Sequence, residues 1–453
     1  MNLNTDIHEQ EIPEEIDPEY FKYIPESSQY VLKNSINRND VADIAPISAA
    51  TNGTMEFQIK PDQNYLIDID KTKFFVDFDI ELVTEAGVAQ AIGTTVAAAD
   101  NNAAGTKDKG DIAFADGWCY SFLQSIKLHF FNQQVEECRY PFYKAALNTA
   151  MKFSKSDYER GMYASMGYGT TYDDSIFTHN ATTIGTHLVF RASDILETCK
   201  SIKSMPYQVF MKYTFQMLSS NKKLAIEPLK KTTAGTGGNP DTVETYYWRV
   251  KENTLKIRLT VPSKVPSVPL EKAVLESYSG VPQLNYELLS ENTLTQSTSR
   301  YHNHVLSQST FIKNKVLMLM FFKETVNATR PFENYSTPDS LQRIEVSNQG
   351  TVKYYEKTMD AGNYLELYQD YLDCKEYFSS IDECAVTYNE YVTRYFTICI
   401  PLEDFEMPKK DSNIVVKLWY SSDTTNTKMY SVFLGEALAK IDVRKNHFVA
   451  SNN

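Results

Sequence analysis

The feature that most constrains the fold is a period-two alternation of apolar and polar residues that recurs along most of the chain. Residues 76–82, VDFDIEL, place apolar side chains between three acids. Because successive side chains of a strand point to opposite faces, the pattern predicts a strand with one apolar and one solvated face. Similar alternation recurs at 126–130, 207–217, 255–259, 392–400 and 414–420. Both halves of the chain are therefore predicted to be β-rich.

The length of the chain favours more than one hydrophobic core. The 453 residues include 30 tyrosines and 24 phenylalanines, which suit half-buried pleated surfaces. Residues 231–241, KTTAGTGGNPD, are small and polar and lie near the midpoint, which makes them the best candidate for a domain joint. We predict an all-β protein with a few inserted helices, whose first domain spans 46–235 and whose second spans 236–453.

Smaller features complete this division. Residues 1–45 are acidic and poor in aliphatic side chains, which is typical of a partly extended arm. Residues 87–110 are rich in Ala, Thr and Gly and are predicted to be a long exposed loop of the first domain. Apolar spacing predicts one helix near 142–153 and another near 363–378, and a tail follows the last strands.

The charge balance excludes some functions. The chain carries 45 basic and 58 acidic residues, a net charge of −13, which is the wrong sign for a surface that grips phosphates. We therefore expect no direct sequence-specific binding of nucleic acid. The longest apolar run, 316–322, is too short to cross a bilayer. The first fifteen residues carry acids where a secretory signal has a basic start, so no export signal is expected.

The sequence offers no recognisable catalytic, cofactor or metal site. Phosphate-binding glycine loops, G-x-S-x-G and H-E-x-x-H are all missing from it. His302 and His304 would point to the same side of a strand, but no nearby Cys or carboxylate pattern completes a metal site. We interpret these histidines as facing solvent or an interface. The six cysteines form no C-x-x-C pair, which favours reduced, buried thiols over disulfides or zinc.

Two other functions are compatible with a β-rich chain. Surface aromatics could stack on sugars, as in a β-sandwich glycan-binding or adhesion protein. Paired acids such as Asp77 with Asp79, or Asp173 with Asp174, could serve a carbohydrate-active enzyme, although solvated strand faces explain them better. Tyrosine in excess of core needs also suits large protein–protein surfaces.

Four short segments occur in an order that resembles one family. They are 57–59 (FQI) with 65–76 (YLIDIDKTKFFV), 118–135 (WCYSFLQSIKLHFFNQQV), 140–145 (YPFYKA), and 336–350 with its STP, QRI and NQG triplets. These segments are similar to those of the double jelly-roll major capsid proteins of Polinton/Maverick elements and adintovirus-like viruses. The wider lineage includes virophages and adenovirus hexon.

This resemblance implies two tandem eight-stranded jelly-roll β-sandwiches and a structural, non-enzymatic role. It implies homotrimers that form pseudo-hexameric capsomers and tile an icosahedral shell, so the chain's partners would be itself, neighbouring capsomers, and penton and minor capsid proteins. The expected location is the virion of a DNA virus, after synthesis in the host cytoplasm. No cofactor is implied.

Overall fold

The structure is a computed structural model, and its description covers part of the chain. The described ranges are 36–44, 53–59, 66–90, 101–102, 105–106, 117–153, 163–169, 176–179, 183–202, 204–205, 209–218, 224, 229–233, 242–251, 253–266, 283–292, 295–297, 299–307, 312–323, 341–348, 352–359, 363–378, 386–393, 395–402, 413–422, 427–442 and 447–451.

The first β-sandwich is built from two antiparallel sheets. Its strands are β1 (Ile36–Ile44), β2 (Thr54–Ile59), β3 (Leu66–Asp68), β4 (Lys73–Thr84), β5 (Ala89–Gln90), β8 (Leu123–Phe130), β9 (Gln133–Cys138), β10 (Phe177–His179), β11 (Thr183–Arg191), β12 (Ser204–Met205), β13 (Met211–Met217), β14 (Leu229–Thr233), β15 (Thr242–Val250) and β16 (Lys256–Pro266). The larger sheet follows the order β10-β11-β4-β16-β3-β12, with β1, β5, β14 and β15 attached to it. The smaller sheet has the order β2-β13-β8-β9. A separate two-stranded hairpin is formed by β6 (Asn101–Asn102) and β7 (Gly105–Thr106).

Strand β4 shows why these residues form a sandwich. Val76, Phe78 and Ile80 are buried, whereas Asp77 lies on the opposite, exposed face and pairs with His187 of β11 across 2.8 Å. The predicted alternation is therefore confirmed, and its apolar face supplies one wall of the first core. Aromatic rings fill the space between the sheets, with Phe74 lying 4.8 Å from Phe215 between centroids.

The second sandwich repeats the two-sheet arrangement. Its strands are β17 (Gln283–Glu291), β18 (Thr295–Ser297), β19 (Tyr301–Leu306), β20 (Ile312–Lys323), β21 (Leu341–Asn348), β22 (Val352–Thr358), β23 (Thr397–Pro401), β24 (Ile414–Tyr420), β25 (Thr427–Asp442) and β26 (His447–Ser451). One sheet has the order β17-β25-β20-β23, with β18 and β26 on β25, and the other has the order β19-β24-β21-β22. Short strands such as β5 and β18 extend the larger sheets, so each sandwich exceeds the eight strands predicted for it.

Strand pairing corrects the predicted domain boundary. Strand β15 pairs with β4 from Tyr246 to Val250, and β16 pairs with β4 from Lys256 to Thr260. Both strands therefore belong to the first sandwich, which reaches Pro266 and not residue 235. The small, polar segment 231–241 begins inside β14, and β14 pairs antiparallel with β15, so the segment lies between two strands of one sheet rather than between two domains.

Part of the predicted arm is a strand. Residues 36–44 pair antiparallel with β16 as β1, so this segment is extended and edges the larger sheet. Residues 1–35 lie outside the described residues. Of the predicted loop 87–110, β5 returns onto β4, and the β6–β7 hairpin forms the other described part.

Five α-helices occur within the described ranges: α1 (Pro141–Met151), α2 (Ala192–Ile195), α3 (Glu197–Ser201), α4 (Leu365–Lys375) and α5 (Tyr388–Thr393). Two short 3-10 helices span Trp118–Phe122 and Ala164–Met166. Helices α1 and α4 lie where the apolar spacing predicts them. The strand predicted from 392 is wrong at its start, because Thr387 and Glu390 cap α5 reciprocally and begin a helix there.

Many of the described tyrosines are core residues. Tyr368, Tyr371 and Tyr391 form a ring cluster, with 5.1 Å between the Tyr368 and Tyr391 centroids. Their hydroxyls donate to main-chain carbonyls, for example Tyr391 to Thr397 over 3.1 Å. Tyrosine abundance thus comes in good part from ring packing with a satisfied polar tip, rather than from surface alone.

Candidate functional site: the junction of the two sandwiches

Helix α1 is shared by the two cores. It follows β9 of the first sandwich, and Pro141 occupies its first turn, where a missing N–H costs nothing. Its buried residues divide between the cores: Phe142 and Ala145 lie in the first, and Ala146, Leu147, Ala150 and Met151 lie in the second. Small alanine side chains let the two sandwiches approach the helix from both sides.

The carboxyl end of α1 is held by α4 of the second sandwich. The Lys375 ammonium donates a hydrogen bond to the Met151 carbonyl oxygen over 2.9 Å, and the Tyr371 hydroxyl donates to the Ala150 carbonyl oxygen. Both donors are buried. The last carbonyls of a helix have no partner within it, and a cation there also interacts favourably with the helix dipole.

A buried ion network lies beside the amino end of α1. The Lys144 ammonium is 3.6 Å from the Glu136 carboxylate, and both side chains are almost fully buried. Glu136 also accepts the backbone N–H groups of Glu197 and Thr198 at 3.0 and 2.9 Å, at the start of α3. Burial alone would lower the pKa of Lys144, but Glu136 and other acids outweigh it and raise it. Lys144 is therefore held in its charged form, and Glu136 links it to the backbone at the start of α3.

A second ion pair extends the network to the end of α1. The Lys152 ammonium donates to the Glu197 carboxylate. Burial alone would raise the pKa of Glu197, but Lys152, Lys144 and Lys200 hold it below its ordinary value. Ser201, at the end of α3, then crosses to the second sandwich: its hydroxyl accepts the Glu287 N–H over 3.0 Å. The first sandwich thus presents a charged, hydrogen-bonded surface to β17.

Glu291 is the second sandwich's main polar contact at this junction. Its carboxyl group, at the end of β17, accepts the Arg139 backbone N–H and the Tyr430 hydroxyl, and lies 3.5 Å from the Cys138 thiol. Burial raises the pKa of Glu291. A carboxyl group from one sandwich therefore satisfies a main-chain donor of the other, which fixes their relative orientation as well as their contact.

The two histidines considered as ligands are core residues of β19. His302 and His304 lie on the same side of β19, as alternation predicts, but they face the core, so the solvent- or interface-facing interpretation is wrong. The His302 Nε2 lies 2.7 Å from the Ser299 carbonyl oxygen. Burial lowers the pKa of both rings, that of His304 to about 4. Both rings are consequently neutral near pH 7.

Other candidate chemistry is equally sparse. In the described ranges, no group of three or more His, Cys, Asp or Glu side chains is placed to hold a metal ion. Asp79 lies beside the exposed Asp77 on the outer face of β4, and Asp173 and Asp174 fall outside the described residues. No helix among the described residues is long and apolar enough to span a membrane.

The described cysteines are buried free thiols, as predicted. They are Cys119, Cys138, Cys199, Cys374 and Cys399, while Cys384 lies outside the described residues. Burial raises the pKa of Cys119, Cys138, Cys199 and Cys399. Because the thiolate is the reactive form, these four residues are poor nucleophiles and serve as packing residues.

Sequence reasoning missed this junction. The local sequence suggests the opposite, because Lys144 and Asn148 are four residues apart and would give α1 a polar face, yet both side chains are buried. A helix buried on all sides must contact more than one layer. The partners of α1 in α4 are more than 200 positions away, however, and nothing in the local sequence identifies them.

Comparison with solved structures defines the fold class. No protein-family model and no curated protein matches the chain. A chain of the Sputnik virophage structure, solved by cryo-EM, is 11% identical and superposes with a TM-score of 0.57 over 92% of this chain and 89% of that one. The mavirus major capsid protein is 12% identical, with a TM-score of 0.51 over 91% and 90%.

A third structure agrees with these two. PBCV-1 VP54, fitted into a reconstruction of Sputnik, is 10% identical, with a TM-score of 0.53 over 92% of this chain and 97% of that one. The similarity therefore extends over both sandwiches and nearly the full length of each chain. The protein has the double jelly-roll fold of viral major capsid proteins, as its sequence resemblance implies.

Proposed function

We propose that this chain is the structural major capsid protein of a DNA virus of the Polinton/Maverick type. The observation that carries the proposal is the fusion of two similar sandwiches through α1 into one unit, in the fold of solved capsid proteins. A chain with two jelly rolls presents two similar lobes. Three copies then present six lobes, so a homotrimer forms a pseudo-hexameric capsomer with one gene product.

The charges of the chain agree with a shell protein. With a net charge of −13, the chain itself makes no direct sequence-specific contact with nucleic acid. Basic partner proteins contact the genome instead. Its partners are itself, neighbouring capsomers, and penton and minor capsid proteins. It is synthesised in the host cytoplasm, resides in the virion, and has no enzymatic activity or cofactor.

The junction supports this role physically. A capsomer must keep the six-lobed outline while it carries load from its neighbours. Hydrogen bonds from the Lys375 ammonium to the Met151 carbonyl and from the Arg139 N–H to the Glu291 carboxyl group hold the lobes in one orientation. If a flexible linker were the sole connection between the lobes, they would rotate independently and the capsomer would not keep its six-lobed outline.

Light scattering of the purified full-length chain tests the proposal. We expect a homotrimer of about three times 51.8 kDa at micromolar concentration, with no monomer peak. A monomer that binds a glycan array would instead support the alternative, a β-sandwich glycan-binding or adhesion protein. A monomer without such binding would also contradict the capsid proposal.

A further inference from the structure

The two sandwiches repeat one pattern of strand pairing. The sheet β2-β13-β8-β9 of the first corresponds to β19-β24-β21-β22 of the second. In the larger sheets, β16 pairs with β4 on one side and with β1 on the other, and β25 pairs in the same way with β20 and β17. An α-helix of 11 residues follows both β9 and β22. The junction elements β9, α1, β17 and β25 therefore have the counterparts β22, α4, β1 and β16.

The correspondence extends to single residues beside the junction. The hairpins β8–β9 and β21–β22 carry the same β-bulge, in which the second strand gains one residue just after the pair made by Leu128 in one hairpin and by Val346 in the other. Counting from the two bulges, Arg139 directly after β9 corresponds to Thr358 at the end of β22. The shared bulge thus identifies the counterpart of each junction residue on these strands.

The contact within the chain joins two different surfaces. We call β9 with the start of α1 the helix edge of the first sandwich, and β17 with β25 the strand edge of the second. Across this contact, Glu291 accepts the Arg139 N–H, the Tyr430 and Tyr140 rings lie 6.1 Å apart, and Tyr286 of β17 belongs to the first core. Because the two edges differ, each sandwich carries a second edge outside this contact. These are the helix edge of the second sandwich, β22 with the start of α4, and the strand edge of the first, β1 with β16.

The helix edge of the second sandwich is more exposed than its counterpart in the first. Cys138 of β9 is buried against Glu291, whereas Lys357, its counterpart on β22, is half-buried. Pro141, the first residue of α1, is buried, whereas Leu365, the first residue of α4, is 55% exposed. The strand edge of the second sandwich lies over the start of α1. The start of α4 is open to an equivalent edge of a neighbour.

We propose that the strand edge of the first sandwich of one copy packs on the helix edge of the second sandwich of a neighbouring copy, as β17 and β25 pack on β9 and α1 within the chain. First and second sandwiches then alternate, and contacts within chains alternate with contacts between chains. A contact between two different surfaces closes into a ring when the rotation permits. The inference rests on the proposed function and names the surfaces that join the subunits of the trimer.

Site-directed photocross-linking of the full-length chain tests this contact. Thr358→Cys, at an exposed position of β22, is labelled with a benzophenone maleimide and irradiated in the trimer. A denaturing gel separates linked pairs of chains from single chains, and mass spectrometry of each band locates the link. We expect linked pairs in which the label is attached to 36–44 or 256–266, the strands β1 and β16, of the second copy.

Matched positions control the cross-linking. Arg139→Cys carries the label at the counterpart position of the first sandwich, and should link to 283–291 of its own chain, because Glu291 at the end of β17 contacts the Arg139 N–H. Val305→Cys lies on β19, at the opposite edge of the sheet from β22, and should link to neither β1 nor β16. The wild-type chain treated in the same way shows any labelling of native cysteines.

A substitution at the helix edge tests the same contact by affinity. Leu365→Asp puts a charge where the account places an apolar contact, and an acid at the first residue of a helix leaves α4 intact. It should raise the concentration at which half of the trimer dissociates by about tenfold or more, measured by light scattering. Val305→Asp, at an aliphatic residue that is 58% exposed, should leave that concentration unchanged. If Leu365→Asp misfolds by circular dichroism, Leu365→Ser replaces it.

Failure of this inference is distinguishable from failure of the capsid proposal. A wild-type trimer whose Thr358 label gives no linked pair, or links to other segments, overturns the contact and leaves the capsid role standing. Equal dissociation of the Leu365→Asp and Val305→Asp trimers has the same meaning. A wild-type monomer at every concentration would reject the capsid role itself.

Discussion

The Lys375 ammonium group donates a hydrogen bond to the Met151 carbonyl oxygen, so a helix of the second sandwich caps a helix shared with the first. Lys375 lies at the end of α4 and is fully buried. The contact couples α4 to the main chain of α1, so it depends on the Lys375 side chain and not on the side chain at position 151. The stability of the whole chain should therefore depend on it.

Replacing Lys375 with Met should lower the free energy of unfolding by about 2 kcal/mol, because the buried Met151 carbonyl loses its donor. Urea denaturation followed by tryptophan fluorescence measures the change. Lys256→Met, at an exposed lysine of β16, is the control and should change the free energy by less than about 0.5 kcal/mol. Equal effects of the two substitutions would show that the cap contributes nothing.

Gly117→Ala should destabilise the first sandwich near α1. Gly117 has φ 67°, and a Cβ there would meet the Ala145 Cβ at 2.6 Å. We expect a loss of about 2 to 4 kcal/mol from backbone strain and overpacking together. Gly53→Ala is the matched control, since Gly53 has φ 73° but open space around it, and should cost about 1 kcal/mol. Similar thermal melts for the two variants would contradict the close approach.

Glu291→Gln should change how stability depends on pH. The folded-state pKa of Glu291 is raised by burial, so the wild type loses stability as pH rises from the ordinary value of 4.5 through the folded pKa. Gln cannot ionise, and the stability of the variant relative to wild type should therefore increase between pH 4.5 and pH 7.5. Denaturant melts at both pH values measure this, with exposed Glu85→Gln as the control. A constant difference between wild type and variant would count against a buried, titrating carboxyl group.

His304→Leu should protect the chain against acid. Burial lowers the pKa of His304 from 6.5 to about 4, so protonation of the unfolded chain costs the wild type stability as pH falls through that window. The full effect corresponds to roughly 3 kcal/mol. Melts at pH 7.5 and pH 4 should show a smaller loss for His304→Leu than for wild type. The exposed His187→Leu is the control, and a loss for His304→Leu equal to that of wild type would refute the prediction.

Local patterns predicted the strands and main helices because each is specified by a few neighbouring residues. The alternation at Val76, Phe78 and Ile80 marks a buried strand face without further information. The inward face of strand 301–306 is harder to predict. His302 and His304 are more polar than Tyr301 and Val305, and yet the histidines are the buried pair. Alternation predicts which side chains share a face of the strand. Which of the two faces is buried depends on the rest of the core.

Features that depend on distant pairing could not be predicted locally. The boundary at Pro266 follows from β16 hydrogen bonding to β4, about 180 residues earlier, and the junction follows from α4 meeting α1. The family resemblance supplied the tandem jelly rolls because it carries information about the whole chain. The resemblance did not predict the buried ion pair between Glu136 and Lys144, because no short motif encodes it.

Negative-stain electron microscopy of the purified full-length chain tests the central claim most directly. A capsid protein with two jelly rolls per chain should give class averages of trimers with a pseudo-sixfold outline, and at higher concentration hexagonal plates or closed shells. Single two-lobed particles at every concentration, with no trimers or plates, would contradict it.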